Sequence, residues 1–115
     1  MIDYLIFGTG YSKQPEHIDW VLVGREIDNK LTKAFVVARE FVVDLIETES
    51  ASFRTATVQG KKYSKGAKVV IYDGEFLTTS PDASENNNLE ELPTFSMPDD
   101  DIDKAVKLAI KGVFG

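Results

Sequence analysis

The chain has 115 residues, a formal net charge of -6 and a hydrophobic fraction of 43%. Those values describe one globular domain, able to bury about two-thirds of its unfolded surface. It has no cysteine, which excludes disulfides, thiolate metal sites and cysteine nucleophiles. No apolar run approaches the roughly 20 residues that span a bilayer. Met1-Ile2-Asp3-Tyr4 also lacks the basic region of a secretory signal. The expectation is a cytoplasmic protein with no membrane partner.

In chain order, Met1 to Phe7 alternates loosely and ends at Gly8-Thr9-Gly10, reading as a first strand. Tyr11 to Glu16 is a polar connection. Ile18 to Ile27, with Trp20, Val21, Leu22 and Val23, reads as a second strand, and Asp28-Asn29 breaks it. Leu31 to Val37 fits either a short strand or an early helix start. From Ala38 the spacing is helical, with Ala38, Phe41, Val42, Leu45 and Ile46 on one apolar stripe. Arg39, Glu40, Asp44 and Glu47 occupy the opposite face. Ser52 to Val58 returns to strand character before a turn at Gln59-Gly60.

Thr57 to Phe95 carries the densest set of consistent signals and is the expected core. Val69 to Tyr72 and Phe76 to Thr79 are rich in β-branched and aromatic residues. Asp73-Gly74 between them favours a two-residue type I′ hairpin. In that register Tyr72 faces Glu75, Ile71 faces Phe76 and Val70 faces Leu77. Val69, Ile71 and Phe76 then share one face, and Val70 and Leu77 the other. Downstream, Leu89, Leu92 and Phe95 sit three apart, as on one short helical or 3₁₀ turn with a single apolar edge. Asn88 suits the start of that turn, and Pro93 keeps it short. The segment reads as a plug over an open edge of the core.

The order of Gly60-Lys61, Val69 to Ile71, Gly74, Phe76-Leu77-x-Thr79, Asp82, Asn88-Leu89, Leu92-Pro93 and Phe95 resembles domain-of-unknown-function family 3892, small bacterial and phage-borne proteins. His17-Ile18 and the helical run from Arg39 to Glu47 fit it less tightly. The resemblance covers Tyr4 to Phe95, and its most distinctive part is the N-L-x-x-L-P-x-F box. Family members usually carry Asp where this chain has Asn87. The resemblance implies a fold neighbourhood and no activity.

Residues 96–115 read as a separate helical extension to a 1–95 domain. Asp99, Asp100 and Asp101 suit a helix start, and Ile102, Ala105, Val106, Ala109 and Val113, widened by Leu108 and Ile110, form its apolar stripe. The expected fold is therefore α+β: an antiparallel sheet of four to five strands, one packed helix, and an added C-terminal amphipathic helix. That helix docks on its own sheet or makes a homodimer.

Few residues point to chemistry. Gly8-Thr9-Gly10 lacks the third glycine of a dinucleotide fingerprint, and His17 is the only histidine, which rules out multi-histidine zinc sites. No catalytic residue, metal site or cofactor is expected. Asp82 to Asp103 holds eight acids and no Lys or Arg, so direct nucleic-acid binding is not expected. Lys61, Lys62, Lys65 and Lys68 make a small basic counter-patch. The favoured reading is a non-catalytic protein-interaction or inhibitor module of phage or mobile-element type, with an unidentified protein partner. The alternative is a small-ligand or nucleotide binder with a pocket near Gly8-Gly10, Lys61-Lys68 and Asn86-Asn88. Candidate contacts are Lys61, Lys62, Tyr63, Asn87 and Asn88, and candidate structural residues are Gly60, Asp73, Gly74, Leu89, Leu92, Pro93 and Phe95.

Overall fold

The computed structural model describes residues 2–11, 18–28, 30–60, 62–80, 89–96, 107 and 110–114. Its elements run β1 (Ile2–Tyr11), β2 (Trp20–Ile27), β3 (Lys30–Leu31), β4 (Phe35–Ala38), α1 (Arg39–Glu47), β5 (Ala51–Gln59), β6 (Lys62–Tyr72), β7 (Phe76–Thr79), a 3₁₀ turn at Leu89–Glu91, and β8 (Thr94–Ser96). The strands form one eight-stranded sheet of order β3-β2-β1-β5-β6-β7, with β4 on β2 and β8 on β1. The expected α+β class is thus corrected to a mostly β, mixed sheet. Parallel pairs join β1 to β5 and to β8; for β5 this follows from the crossover through β4 and α1 that carries the chain past β2 and β1. Leu31 to Val37, ambiguous in sequence, contributes strand.

The sheet is organised around β1, not around the β6–β7 hairpin. β1 is buried from Leu5 to Gly10, so its amide groups need partners. β2 pairs with it along one side. On the other, β5 pairs with residues 2–6 and β8 takes over at Thr9 to Tyr11. The Thr9 amide donates to the Pro93 carbonyl at 3.0 Å, closing the gap between them. A side chain at Gly10 would come within 2.5 Å of the Phe95 ring, so the Gly8-Thr9-Gly10 run is a close-packing device for β8.

Two apolar clusters lie on the two faces. The first holds Ile6, Val21, Val23, Val42, Val43, Phe53, Val69, Leu77, Leu89 and Leu92 beneath α1. The second holds Leu5, Phe7, Leu22, Ala34 and Ala56, with Phe95, Ile110, Val113 and Phe114 against it. The closing box is therefore split: Leu89 and Leu92 plug the first cluster, while Phe95 crosses to the second on β8. On α1 the buried residues are Val42 and Val43, and Phe41 is 53% exposed, so the expected stripe is rotated. Arg39, expected on the polar face, is half-buried, donating to the Ile18 carbonyl and pairing with Asp19, both at 3.1 Å.

Asp73 and Gly74 take positive φ of 51° and 74°, and the Glu75 amide returns to the Tyr72 carbonyl, as a primed turn requires. The ladder nevertheless resumes at Phe76: Tyr72 opposes Phe76 and Ile71 opposes Leu77. Glu75 is an extra residue, and the slip of one moves Leu77 onto the face of Val69 and Ile71. No long amphipathic C-terminal helix is found among the described residues. Helical backbone there covers 107 and 110–114, and the Ile102, Ala105, Val106, Leu108 and Ala109 part of the expected stripe lies outside them.

Truncating the plug tests this packing. Leu92, 3% exposed, when changed to Ala should cost about 2–5 kcal/mol in a urea melt, and an unchanged midpoint would contradict its burial.

Candidate functional site

The second face of the sheet divides into an apolar half, covered by residues 110–114, and a charged half. Alternation places Leu5 on β1, Glu26 on β2, and Arg54, Ala56 and Val58 on β5 toward this face. On β6 the pairing is irregular: Arg54 opposes Lys68, yet Ala56 opposes Lys65. Thr55 alone on β5 therefore faces two residues on β6, which is a β-bulge at Gly66-Ala67. The buried Thr55 fixes it, since the Ala67 amide donates to Thr55 Oγ1 at 3.0 Å. Residues three apart on a regular strand point to opposite faces. The bulge turns Lys65 and Lys68 to the same face, beside Arg54.

These three cations line an open groove of about 440 Å³ with Asp3, Tyr4, Leu5, Glu26 and Ser52. Glu26 accepts the Tyr63 hydroxyl on Oε2, and its Oε1 lies 2.9 Å from Lys65 Nζ. Tyr63 in turn packs edge-on against Phe7. β2 and β6 are three strand spacings apart, about 14 Å on a flat sheet, so the Tyr63–Glu26–Lys65 link requires the sheet to curl toward this face. Arg54 and Lys68 make no ion pair among the described residues. Asp3, set beside Glu26 by the register that pairs Tyr4 with Arg25, accepts the Ser52 hydroxyl.

The Tyr63 hydrogen bond, and then Lys65, hold the Glu26 carboxyl below its ordinary range. The same bond pushes the Tyr63 hydroxyl up. The sign follows from which form each bond favours. The Glu26 contribution is present above the ordinary carboxylate range and lost as pH falls through its depressed value. The Tyr63 contribution is present below the ordinary phenol range and lost as pH rises through its elevated one.

Of the expected binding residues, Lys62 and Tyr63 line a second depression of about 480 Å³ with Lys30, Val58 and Phe114. Lys61, Asn87 and Asn88 lie outside the described residues, as does His17. At the Gly8-Gly10 edge of the expected pocket, side chains would meet the Pro93 carbonyl and the Phe95 ring, and its Asn86-Asn88 edge lies outside the described residues. Gly60 (φ 62°), Asp73 and Gly74 occupy the turns assigned to them. Arg54 and Glu26 were not singled out by sequence, and their distance along the chain from Lys65 and Lys68 explains why. Among the described residues no group of three or more His, Asp or Glu gathers to hold a metal, and no helix is long and apolar enough to cross a membrane.

Comparison with protein-family models, with curated proteins and with solved structures finds no match for this chain.

The Tyr63–Glu26 bond is open to direct titration. By carbon-detected NMR, the Glu26 carboxyl should titrate below its ordinary value of 4.5 and move upward in Tyr63→Phe. An identical titration in both proteins would show that the bond is absent in solution.

Proposed function

We propose that this protein is a non-catalytic interaction module that receives an anionic group of a protein partner in the groove between β2 and β6. One observation carries the reading: Arg54 stands directly opposite Lys68, with Lys65 turned to the same face by the bulge. Like charges directly opposite on neighbouring strands are destabilising, so an anion bridging them would relieve a strain that the free protein bears. The net charge of -6 does not prevent this. Salt screens exposed charges beyond about 8–10 Å, so an arriving anion responds chiefly to the cations lining the groove. Small-molecule sites usually enclose most of their ligand. This groove is open and its three cations are exposed, which suits a side chain presented by another protein.

The second reading, a small anionic ligand, rests on the groove's volume of about 440 Å³, within the range of ligand pockets.

Lys68→Glu separates binding from stability, because it converts the like-charge pair into an ion pair with Arg54. Its urea midpoint should rise by the equivalent of about 0.2–1 kcal/mol. Poly-glutamate should shift the amide signals of Arg54, Lys65 and Lys68 in the wild type and not in the variant. Shifts of equal size in both proteins, or none in the wild type with any anion, would refute the groove as the binding surface.

A further inference from the structure

Resting on that reading, we infer that the anionic group is a phosphate monoester, clamped by Arg54 and Lys68, with Glu26 holding Lys65 in reserve. The groove has three cations, but one is committed: Lys65 Nζ lies 2.9 Å from Glu26 Oε1. Glu26 is anchored from the other side by the Tyr63 hydroxyl, so its carboxylate stays in place. Two cations remain without ion pairs among the described residues, and they stand opposite each other on neighbouring strands. A single carboxylate offers one charge and satisfies half of that pair. A phosphate monoester near neutral pH carries close to two charges and has three acceptor oxygens. It can meet the Arg54 guanidinium with two oxygens and the Lys68 ammonium with the third.

The acids around the groove set its direction. Asp3 on β1 pairs with Ser52 on β5, whose hydroxyl donates to it, so an anion is repelled there and driven toward the Arg54–Lys68 pair. Glu26 on β2 adds its charge to that same acidic side, since Tyr4 opposite Arg25 sets Asp3 against Glu26. It repels any anion, and it releases Lys65 only to one that competes with its own carboxylate. The second-face residues Leu5 and Ala56 contribute apolar surface at the floor.

The test uses four probes on the intact chain: phenyl phosphate, benzoate, a phosphoserine hexapeptide, and the same peptide with glutamate in place of phosphoserine. Affinities are read by NMR titration, with the Lys65 and Arg54 side-chain signals followed alongside the amides. Phenyl phosphate should bind about tenfold more tightly than benzoate, the value of one additional charge-assisted hydrogen bond, and the phosphopeptide should exceed its glutamate counterpart similarly. Arg54→Gln should remove that preference. Glu26→Gln keeps an acceptor for Tyr63 and frees Lys65, so it should strengthen binding of all four probes, with the Lys65 signal moving on titration.

Phosphopeptide binding much tighter than phenyl phosphate assigns the phosphate to a protein, and equal affinity assigns it to a small molecule; both support the phosphate clamp. Equal affinity for phosphate and carboxylate probes would overturn the clamp while leaving an anion-binding groove intact. Weakened binding in a folded Glu26→Gln protein would overturn the role given to Glu26. No response to any probe in any variant would overturn both the clamp and the groove.

Discussion

Strand β1 has to find partners for backbone groups that are buried from Leu5 to Gly10, and the rest of the sheet is arranged to supply them. β2 runs along one side, whereas the other is shared by β5 and β8. β5 can reach β1 only by a crossover, which places α1 over the first apolar cluster. β8 reaches it from the far end of the chain, which draws Leu89 and Leu92 into one cluster and Phe95 into the other. Burial of one strand thus accounts for the mixed pairing, the helix position and the plug.

Among the described residues, the same arrangement leaves the second face half covered. Residues 110–114 close one end with Ile110, Val113 and Phe114, while Glu26, Tyr63 and Lys65 bridge the sheet near the other. The bulge in β6 then decides what the open end contains. A hydrogen bond from the Ala67 amide to the buried Thr55 hydroxyl leaves room for an extra residue, and that residue turns Lys65 toward Arg54 and Lys68. Bulges commonly re-aim side chains near functional sites. Here the outcome is a local concentration of positive charge on an acidic protein.

Much of this fold was legible in the sequence and some was not, for physical reasons. The apolar runs and turn residues marked β1, β2, β5, β6, β7 and α1, because each pattern is local. The hairpin turn is legible in Asp73-Gly74, but its register is one residue off the regular ladder, since Glu75 bulges out and the core claims Leu77. Phe41 looked like a core residue and is exposed, because a nine-residue helix can rotate until Val42 and Val43 fill the space available. Spacing alone groups Phe95 with Leu89 and Leu92. Strand pairing at β8, which spacing does not reveal, sent it to the opposite face. The charged groove was the least legible feature. Arg54 and Glu26 lie far from Lys65 and Lys68 in sequence, and lysines three apart on a strand read as facing opposite ways. The available signal was Gly66 inside a β-rich run, a position that often marks a bulge.

Everything assigned to the groove depends on the pairing of β5 with β6, and nuclear Overhauser contacts between backbone protons of those strands measure it directly. The expected contacts place Arg54 opposite Lys68 and Ala56 opposite Lys65. An unbroken ladder that set Ala56 opposite Gly66 would send Lys65 to the far face, and the cation cluster would not exist.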